Sequence, residues 1–253
     1  MTNSNQLISI IIPVFNESES IGYLLDEVLN VMCSNKLNFE IVVVNDGSQD
    51  STSNVLDELT IKIKELSVIS LRTNYGQTAA MAAGFDNSNG DVVITLDGDL
   101  QNDPTDIPKL ISHINEGYDL ICGWRYDRKD KLINRRIPSK IANKLIANVT
   151  GLKLHDYGCS LKAFKKEIVN DIKLYGELHR FLPVLANIEG AKIKEIKVNH
   201  RSRKYGSSKY GIDRTFRVLM DLLTVWFMTK FLTRPMYGFG FFGIISILLS
   251  LGM

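Results

Sequence analysis

Val92-Val93-Ile94-Thr95-Leu96-Asp97-Gly98-Asp99-Leu100-Gln101 is an apolar run that ends in two carboxylates and an amide. The run is continuous and largely β-branched, as a buried strand is. In an extended backbone Asp97, Asp99 and Gln101 fall at i, i+2 and i+4, so their side chains are expected to share one face. Oxygen-only ligands of this kind suit Mg²⁺ or Mn²⁺ rather than zinc. Mg²⁺ takes one or two protein carboxylates and completes its shell with water and substrate phosphates, so a nucleotide diphosphate is the expected companion. A solvated acidic turn after a strand has the same local sequence, and the stretch alone does not separate the two.

Upstream, three more apolar runs read as strands: residues 7–14, rich in isoleucine, then 41–44 and 68–71. Continuous β-branched runs fit parallel strands covered on both faces. Between them lie helical patterns. Ser20 is the expected N-cap of a helix carrying Ile21, Leu24, Leu25, Val28, Leu29 and Met32. Val55, Leu56, Leu59 and Ile63 mark a second helix, and the alanine-rich segment 77–85 a third. Alternating strand and helix predicts a doubly wound, mostly parallel sheet with right-handed crossovers. In such sheets ligands bind beyond the carboxyl ends of the strands. Glu17, Asp46 and Asp97 each follow a different predicted strand, so three acidic residues converge on one edge.

The 253 residues, 45% of them apolar, suffice for one large α/β domain or two small ones. A net charge of +2 gives no reason to expect nucleic acid as a partner. The basic residues are uneven, however, and Arg201, Arg203, Lys204, Lys209, Arg214 and Arg217 precede the hydrophobic C-terminus, a placement that favours an anionic membrane surface. Cys33, Cys122 and Cys159 lack metal-ligand spacing and leave one thiol unpaired under any disulfide scheme, which fits a reducing cytosol. The polar N-terminus lacks a signal-peptide pattern. A dinucleotide-binding dehydrogenase is disfavoured because the first strand leads into Pro13-Val14-Phe15-Asn16-Glu17 and not into a glycine-rich loop. No Gly-Lys-Ser/Thr phosphate loop occurs either.

Pro13-Val14-Phe15-Asn16-Glu17, Asp46-Gly47-Ser48, Asn74-Tyr75-Gly76 and Asp97-Gly98-Asp99-Leu100-Gln101, in that order, resemble the inverting glycosyltransferases of family 2. The resemblance is closest to the polyprenyl-phosphate branch, which includes dolichyl-phosphate mannose synthases and bacterial undecaprenyl-phosphate glycosyltransferases. It runs on through Asp156-Tyr157-Gly158-Cys159, His179-Arg180-Phe181-Leu182-Pro183, Arg201-Ser202-Arg203 and Gly206-Ser207-Ser208-Lys209-Tyr210, and so covers nearly the whole chain. It implies a GT-A-type fold in which Pro13, Phe15, Glu17 and Asp46 hold the base and ribose, Asp46 accepting from a base N–H. It also implies that Asp97, Asp99 and Gln101 would hold the metal at the donor diphosphate. Gln77, at the start of its helix, joins the donor set or is a plain N-terminal polar residue. Arg203 and Lys209 close over the diphosphate from a mobile loop, or belong to a linker.

The second half is expected to form the acceptor side. Asp103-Pro104 opens a helix, residues 120–123 return to the sheet, and 193–198 form a late strand. By resemblance, Arg125, Arg135 and Ser139 receive a lipid phosphate, a task that suits the planar fork of arginine. Asp156 is a candidate to orient the acceptor or a structural hydrogen-bond acceptor in a turn.

The expected organisation is a glycosyltransferase domain over residues 1–211, an amphipathic juxtamembrane helix over 212–234, and a transmembrane helix over 235–253. Ile212, Phe216, Leu219, Leu223 and Trp226 form the apolar face of that amphipathic helix. Residues 236–253 carry no charge, but a span needs roughly 17 to 25 residues, so this one is barely long enough and reads as cut short. Basic residues before it place the catalytic domain on the cytoplasmic face of the inner membrane.

The resemblance implies an enzyme that moves a sugar from a nucleotide diphosphate sugar to a polyprenyl phosphate with inversion, using Mg²⁺ or Mn²⁺. UDP-glucose is the first-guess donor, membrane lipid is a further partner, and a homo-oligomer is left open. A processive polysaccharide synthase should carry Gln-x-x-Arg-Trp where Leu178-His179-Arg180-Phe181 stands. An inert nucleotide-sugar binder should have lost part of the acidic set, all of which is present.

Overall fold

The isoleucine-rich opening forms β1, Leu7–Val14, near the middle of a seven-stranded sheet. The computed structural model describes residues 6–127, 137–205, 213–231 and 235–252, apart from the side chains of residues 137–142, 213–219, 229, 238 and 242. β1 pairs in parallel with β2 (Asn38–Asn45) on one side and with β4 (Val92–Thr95) on the other, and β2 pairs with β3 (Leu66–Ser70). β5 (Leu120–Arg125), β6 (Lys162–Lys165) and β7 (Ile193–Val198) complete the order β3-β2-β1-β4-β6-β5-β7. Only β6 runs against its neighbours, pairing antiparallel with β4 and β5, while β5 and β7 pair in parallel. The expected mostly parallel sheet is therefore present. β6 escapes sequence reading because Lys162-Ala163-Phe164-Lys165 has no apolar run to signal a strand.

Alternate residues of each strand feed two cores. Ile10 and Ile12 face α1 (Ile21–Ser34), α2 (Thr52–Lys62) and α4 (Ile107–Asn115), whereas Ile11 and Val42 face α3 (Gln77–Asp86). α5 (Ile137–Thr150), α6 (Lys166–Asp171) and α7 (Leu182–Ile188) share the second core. Burying one such side chain is worth roughly 1.5–3 kcal/mol, and a one-residue slip would exchange the two faces of β1, so the register is fixed. α3 lies close on β1 because Gly84 has no side chain there; a Cβ would come within 2.3 Å of Ile11 Cγ2. That packing brings the first residue of α3, Gln77, to the carboxyl edge of the sheet.

The chain leaves β1 toward β2 and β3 on one side and returns to β4 on the other. The strand order therefore reverses between β1 and β4, where doubly wound sheets bind ligands. Ser20 does precede α1, but its hydroxyl donates to Glu17 Oε2 at 2.7 Å and does not cap the helix. At φ −108° and ψ −33° Ser20 lies in the helical region, not in the extended conformation that turns a capping oxygen onto the first N–H groups.

The C-terminal expectations need correction. Among the described residues no helix is long and apolar enough to cross a membrane. α9, Pro235–Leu251, has 17 residues, which at about 1.5 Å per residue falls short of a hydrocarbon core of about 30 Å. In α8, Asp213–Phe231, the residues buried against the domain are Leu222 and Val225, with Met228 packed beside them. Leu223, assigned to the apolar face in the sequence, is 56% exposed. Among the described side chains the helix thus has a second apolar side, which meets the domain, while the Leu223 side expected at a membrane interface stays exposed.

Candidate active site

The carboxylates past β4 converge, but not by strand alternation. β4 ends at Thr95 and the chain turns through Gly98 and Asp99, with Leu100 in the left-handed region at φ 61°. Leu100 is buried in the first core, which compensates a conformation that costs a branched side chain about 1–2 kcal/mol. Asp99 Oδ1 accepts from the Gln101 backbone N–H at 3.1 Å and closes the turn. Gly98 lies beneath it, where a Cβ would meet Val14 Cγ1 at 2.8 Å. The turn is thereby seated on the end of β1.

Gln77 Nε2 donates to Asp97 Oδ1 at 2.8 Å, so Gln77 belongs to this cluster and is not an idle helix-start residue. Arg203 Nη2 donates to Asp99 Oδ2 at 2.6 Å. Asp99 is only 8% exposed. Burial first, and then the negative charge of Asp97, push its carboxyl up to about 6 against the opposing pull of Arg203. Gln101 turns its amide nitrogen toward the Arg201 carbonyl at 3.5 Å.

Among the described residues no group of three His, Cys, Asp or Glu side chains is placed to hold a metal. The residues fit Mg²⁺ or Mn²⁺ in another way. Asp97 and Asp99 form an oxygen-only pair in which the charge of Asp97 acts on the buried Asp99, and such ions complete their shells with water and phosphate. Asp97 and Asp99 would hold the ion, while the strand alternation that set Gln101 beside them as a third ligand ends with β4 at Thr95.

Beside them, the loops after β1 and β2 are laced together. Asn16, in the left-handed region at φ 52°, accepts on Oδ1 from Gln49 N–H at 2.7 Å and donates its own N–H to Ser48 Oγ at 2.9 Å. Glu17 N–H donates to Thr52 Oγ1 at 2.9 Å. Pro13 is buried and Phe15 and Glu17 are half-buried along this seam. Asp46, 3% exposed, accepts from Tyr75 N–H at 2.7 Å and from Gly76 N–H at 2.9 Å. Its pKa is raised because desolvation outweighs those two bonds. Both oxygens clamp the loop leading to α3, a task the sequence reading did not assign to it. Gly47 permits this approach, since its φ is 65° and a Cβ would sit 2.4 Å from the Thr73 carbonyl carbon.

On the other side of β6, Arg125 donates from Nε to Asp156 Oδ2 at 2.7 Å and from Nη2 to Asp156 Oδ1 at 2.9 Å. Asp156 is 2% exposed, and this paired geometry is the strong form of an arginine–carboxylate contact. The two acceptor candidates that the sequence treated separately thus form one unit. Arg135, Lys209 and the loop 206–210 lie outside the described residues, as does the side chain of Ser139.

The segment after β7 crosses the edge as a strap. Asn199 N–H donates to Asp106 Oδ2 at 2.7 Å, Asn102 and His200 form an antiparallel bridge, and Arg201 N–H donates to the Gln101 carbonyl at 2.8 Å. Arg201 Nη1 donates to Glu27 Oε2 at 2.7 Å and its Nη2 pairs with Asp103 Oδ1 at 2.8 Å. Arg203, expected on a mobile loop or a linker, is thus preceded by a tethered segment and itself held by Asp99. Sequence reading also left His179 without a role. Its Nδ1 lies 2.7 Å from Thr78 Oγ1, the hydroxyl next to Gln77. The only available signal was the His179-Arg180 pair just before the α7 proline.

The sheet, with its reversal of strand order and its carboxylate pair past β4, defines the GT-A class of α/β transferases. The chain belongs to glycosyl transferase family 2, whose model matches residues 9–173, and it is an enzyme of that family. It is 46% identical over 241 residues to the dodecaprenyl-phosphate galacturonate synthase of Rhizobium johnstonii, covering 94% of this chain and 71% of that protein. It is 39% identical over 241 residues to the undecaprenyl-phosphate 4-deoxy-4-formamido-L-arabinose transferase of Pseudomonas fluorescens, covering 94% and 70%. Among solved structures, glucosyl-3-phosphoglycerate synthase from Mycobacterium tuberculosis, in complex with Mn²⁺ and UDP-glucose, superposes with a TM-score of 0.68 at 16% identity over 89% of this chain and 79% of that one. At that identity the likeness concerns the fold.

Proposed function

We propose that this enzyme transfers a sugar from a nucleotide diphosphate sugar to a polyprenyl phosphate, inverting the anomeric centre. The observation that carries the reading is the pairing of two charged units on one sheet edge. The Asp97–Asp99 turn leaves β4, the Arg125–Asp156 pair leaves β5, and β6 lies between those strands. A diphosphate and a lipid phosphate would therefore meet side by side. The two relatives act, by name, on dodecaprenyl and undecaprenyl phosphates, which supports the acceptor class.

In this reading Asp97 and Asp99 hold Mg²⁺ or Mn²⁺, which when bound neutralises the diphosphate leaving group. Gln77 fixes the Asp97 carboxylate, and Pro13, Phe15, Glu17 and Asp46 line the nucleotide side. Arg203, and Lys209 beyond it, are assigned to the diphosphate, which requires Arg203 to exchange Asp99 for a phosphate oxygen. Arg125, with Arg135 and Ser139, receives the lipid phosphate. Asp156 sets the plane of the Arg125 guanidinium. A phosphomonoester has its second pKa near about 6, so at neutral pH the acceptor is largely a dianion and needs no protein base. Its oxygen attacks the anomeric carbon from the side opposite the departing diphosphate, hence inversion.

The donor is taken to be a UDP-sugar, glucose being tested first and galacturonate, the sugar in the name of the 46% identical relative, second. Membrane contact is assigned to the surface of the C-terminal helices. On α8 Met220 and Leu223 are exposed, and on α9 Met236, Phe239, Phe241, Ile244, Ile247, Leu248 and Leu249 are exposed. An apolar surface of this kind suits lipid, with the catalytic unit of residues 1–211 on the cytoplasmic face. The test incubates the protein with Mn²⁺, labelled UDP-sugars and vesicles containing undecaprenyl phosphate, followed by organic extraction. Extractable labelled glycolipid supports the reading. Aqueous polymer would make it a processive synthase, and no product with any donor would make it a binder.

A further inference from the structure

We infer that Lys162 and Glu195 are positioning residues that grip the 155–159 turn from opposite sides and thereby aim Asp156 at Arg125. Lys162 is a lysine in a central strand and is 3% exposed. Burying an ammonium is costly unless its protons are hydrogen-bonded. Its Nζ donates to the Cys159 carbonyl and, at 3.4 Å, to the Tyr157 carbonyl. Among the described residues it has no carboxylate partner. The charge is committed to the backbone of this one turn.

Glu195 of β7 holds the start of the same turn. Its Oε1 accepts from the His155 and Asp156 N–H groups, both at 2.9 Å, and its Oε2 lies 2.7 Å from His155 Nδ1. The turn thus gives its first N–H groups to an anion and its later carbonyls to a cation. Between those anchors stands Asp156, whose carboxylate takes Arg125 Nε and Nη2 and whose Oδ1 also accepts from Gly158 N–H at 3.2 Å. Lys162 pairs in register with Thr95 of β4 and Cys122 of β5, so it anchors the turn to both strands that carry the site. A hydrophobic residue would fill the same space, but it would leave two carbonyls without donors and the turn free to rotate. Neither residue touches a substrate in this arrangement, and each acts through Asp156.

The inference rests on the reading that Arg125 serves the acceptor, and it is tested in the full-length protein with two readouts. Lys162→Met, Lys162→Arg and Glu195→Gln are compared with the parent for acceptor and donor KM, and for hydrogen exchange of the Arg125 Nε–H by NMR, which needs no turnover. Lys162→Met and Glu195→Gln are expected to raise acceptor KM about tenfold, as the loss of one charge-assisted contact would, with donor KM near the parent value. Exchange of Arg125 Nε–H should quicken about tenfold, and Lys162→Arg should restore both. If Lys162→Met does not fold, Glu195→Gln decides alone. Unchanged exchange, equal losses in both KM values and kcat, or failure of both variants to fold would overturn the inference and leave Lys162 as scaffold. A parent enzyme that ignores polyprenyl phosphate would overturn the functional reading, while the exchange measurement would still judge the clamp.

Discussion

Arg203 Nη2 and Asp99 Oδ2 lie 2.6 Å apart, so a guanidinium rests on the carboxylate that the site reading gives to a metal. Asp99→Ala removes that carboxylate from a turn whose backbone is held by Leu100 and Gly98. Transfer is expected to fall at least a hundredfold, the scale of losing one preorganised charge contact to the transition state, with an unchanged circular dichroism spectrum. Full turnover by the folded variant at saturating donor would remove Asp99 from the reaction.

The raised Asp99 carboxyl also predicts a pH dependence. A group whose folded pKa, about 6, lies above its ordinary value of 3.8 holds an extra proton in the native state between those limits. Its ionisation then costs stability, which is full below about pH 4 and falls as pH rises through about 6. Asp99→Asn should remove this contribution, by about 1 kcal/mol or more at pH 7 and little at pH 4. Urea melts of both proteins in EDTA at the two pH values test it. A parent-to-variant difference that does not change with pH would contradict the assignment.

Arg125→Ala strands a buried carboxylate, and breaking such a pair costs about 3–5 kcal/mol. A drop in melting temperature is expected together with an acceptor requirement raised by about one to two powers of ten. Calorimetry should find UDP-sugar affinity near the parent value. An equal loss of donor affinity would move Arg125 to the diphosphate side.

Gly47→Ala places a Cβ against the Thr73 backbone at a positive φ. The Asp46 clamp on Tyr75 and Gly76 has to shift, at a cost of about 1–3 kcal/mol. Donor KM is expected to rise while acceptor KM stays within a factor of about two. A donor KM equal to the parent's would mean that the clamp does not shape the nucleotide side.

Ending the chain after Phe231 removes the exposed apolar side chains of α9 while keeping every donor residue. Retention on anionic vesicles after a high-salt wash is expected to drop, with nucleotide binding preserved, since buried apolar surface and not charge would have held it. Undiminished sedimentation would assign the attachment to α8 or to the domain itself.

The carboxyl edge of the sheet was legible because parallel strands announce themselves as continuous apolar runs, and the residues just past them stand along that edge. Glu17, Asp46 and Asp97 were located by that rule alone. Their internal partners were not, since the bonds of Asp46 to Tyr75 and Gly76, or of Gln77 to Asp97, join residues 20 to 30 positions apart. The Asp97–Gln101 geometry was misread because burial of Leu100 overrides the extended conformation assumed from the preceding strand. β6 and its buried Lys162 left no trace in the hydropathy pattern, as a satisfied buried charge reads like a solvated one. On α8 the sequence set Leu223 and Trp226 on a face meant for the membrane interface, and the domain is met by another side, through Leu222 and Val225. With apolar residues on two sides, periodicity cannot say which side meets the domain.

One reversed strand has a bearing on how such a scaffold can diversify. β5 ends, and β6 begins, at the same rim of the sheet, with Cys122 and Lys162 paired in register. The intervening residues 126–161 are therefore an excursion whose two ends are already neighbours. Lengthening that excursion keeps the two strand ends side by side, since extra loop length costs only slowly growing entropy, while α5 and the 155–159 turn stay packed on the second core and on Glu195 and Lys162. If residues of this segment meet the acceptor, as in the proposed function, a change of acceptor would need changes in this segment alone, with the rim past β1, β2 and β4 unaltered.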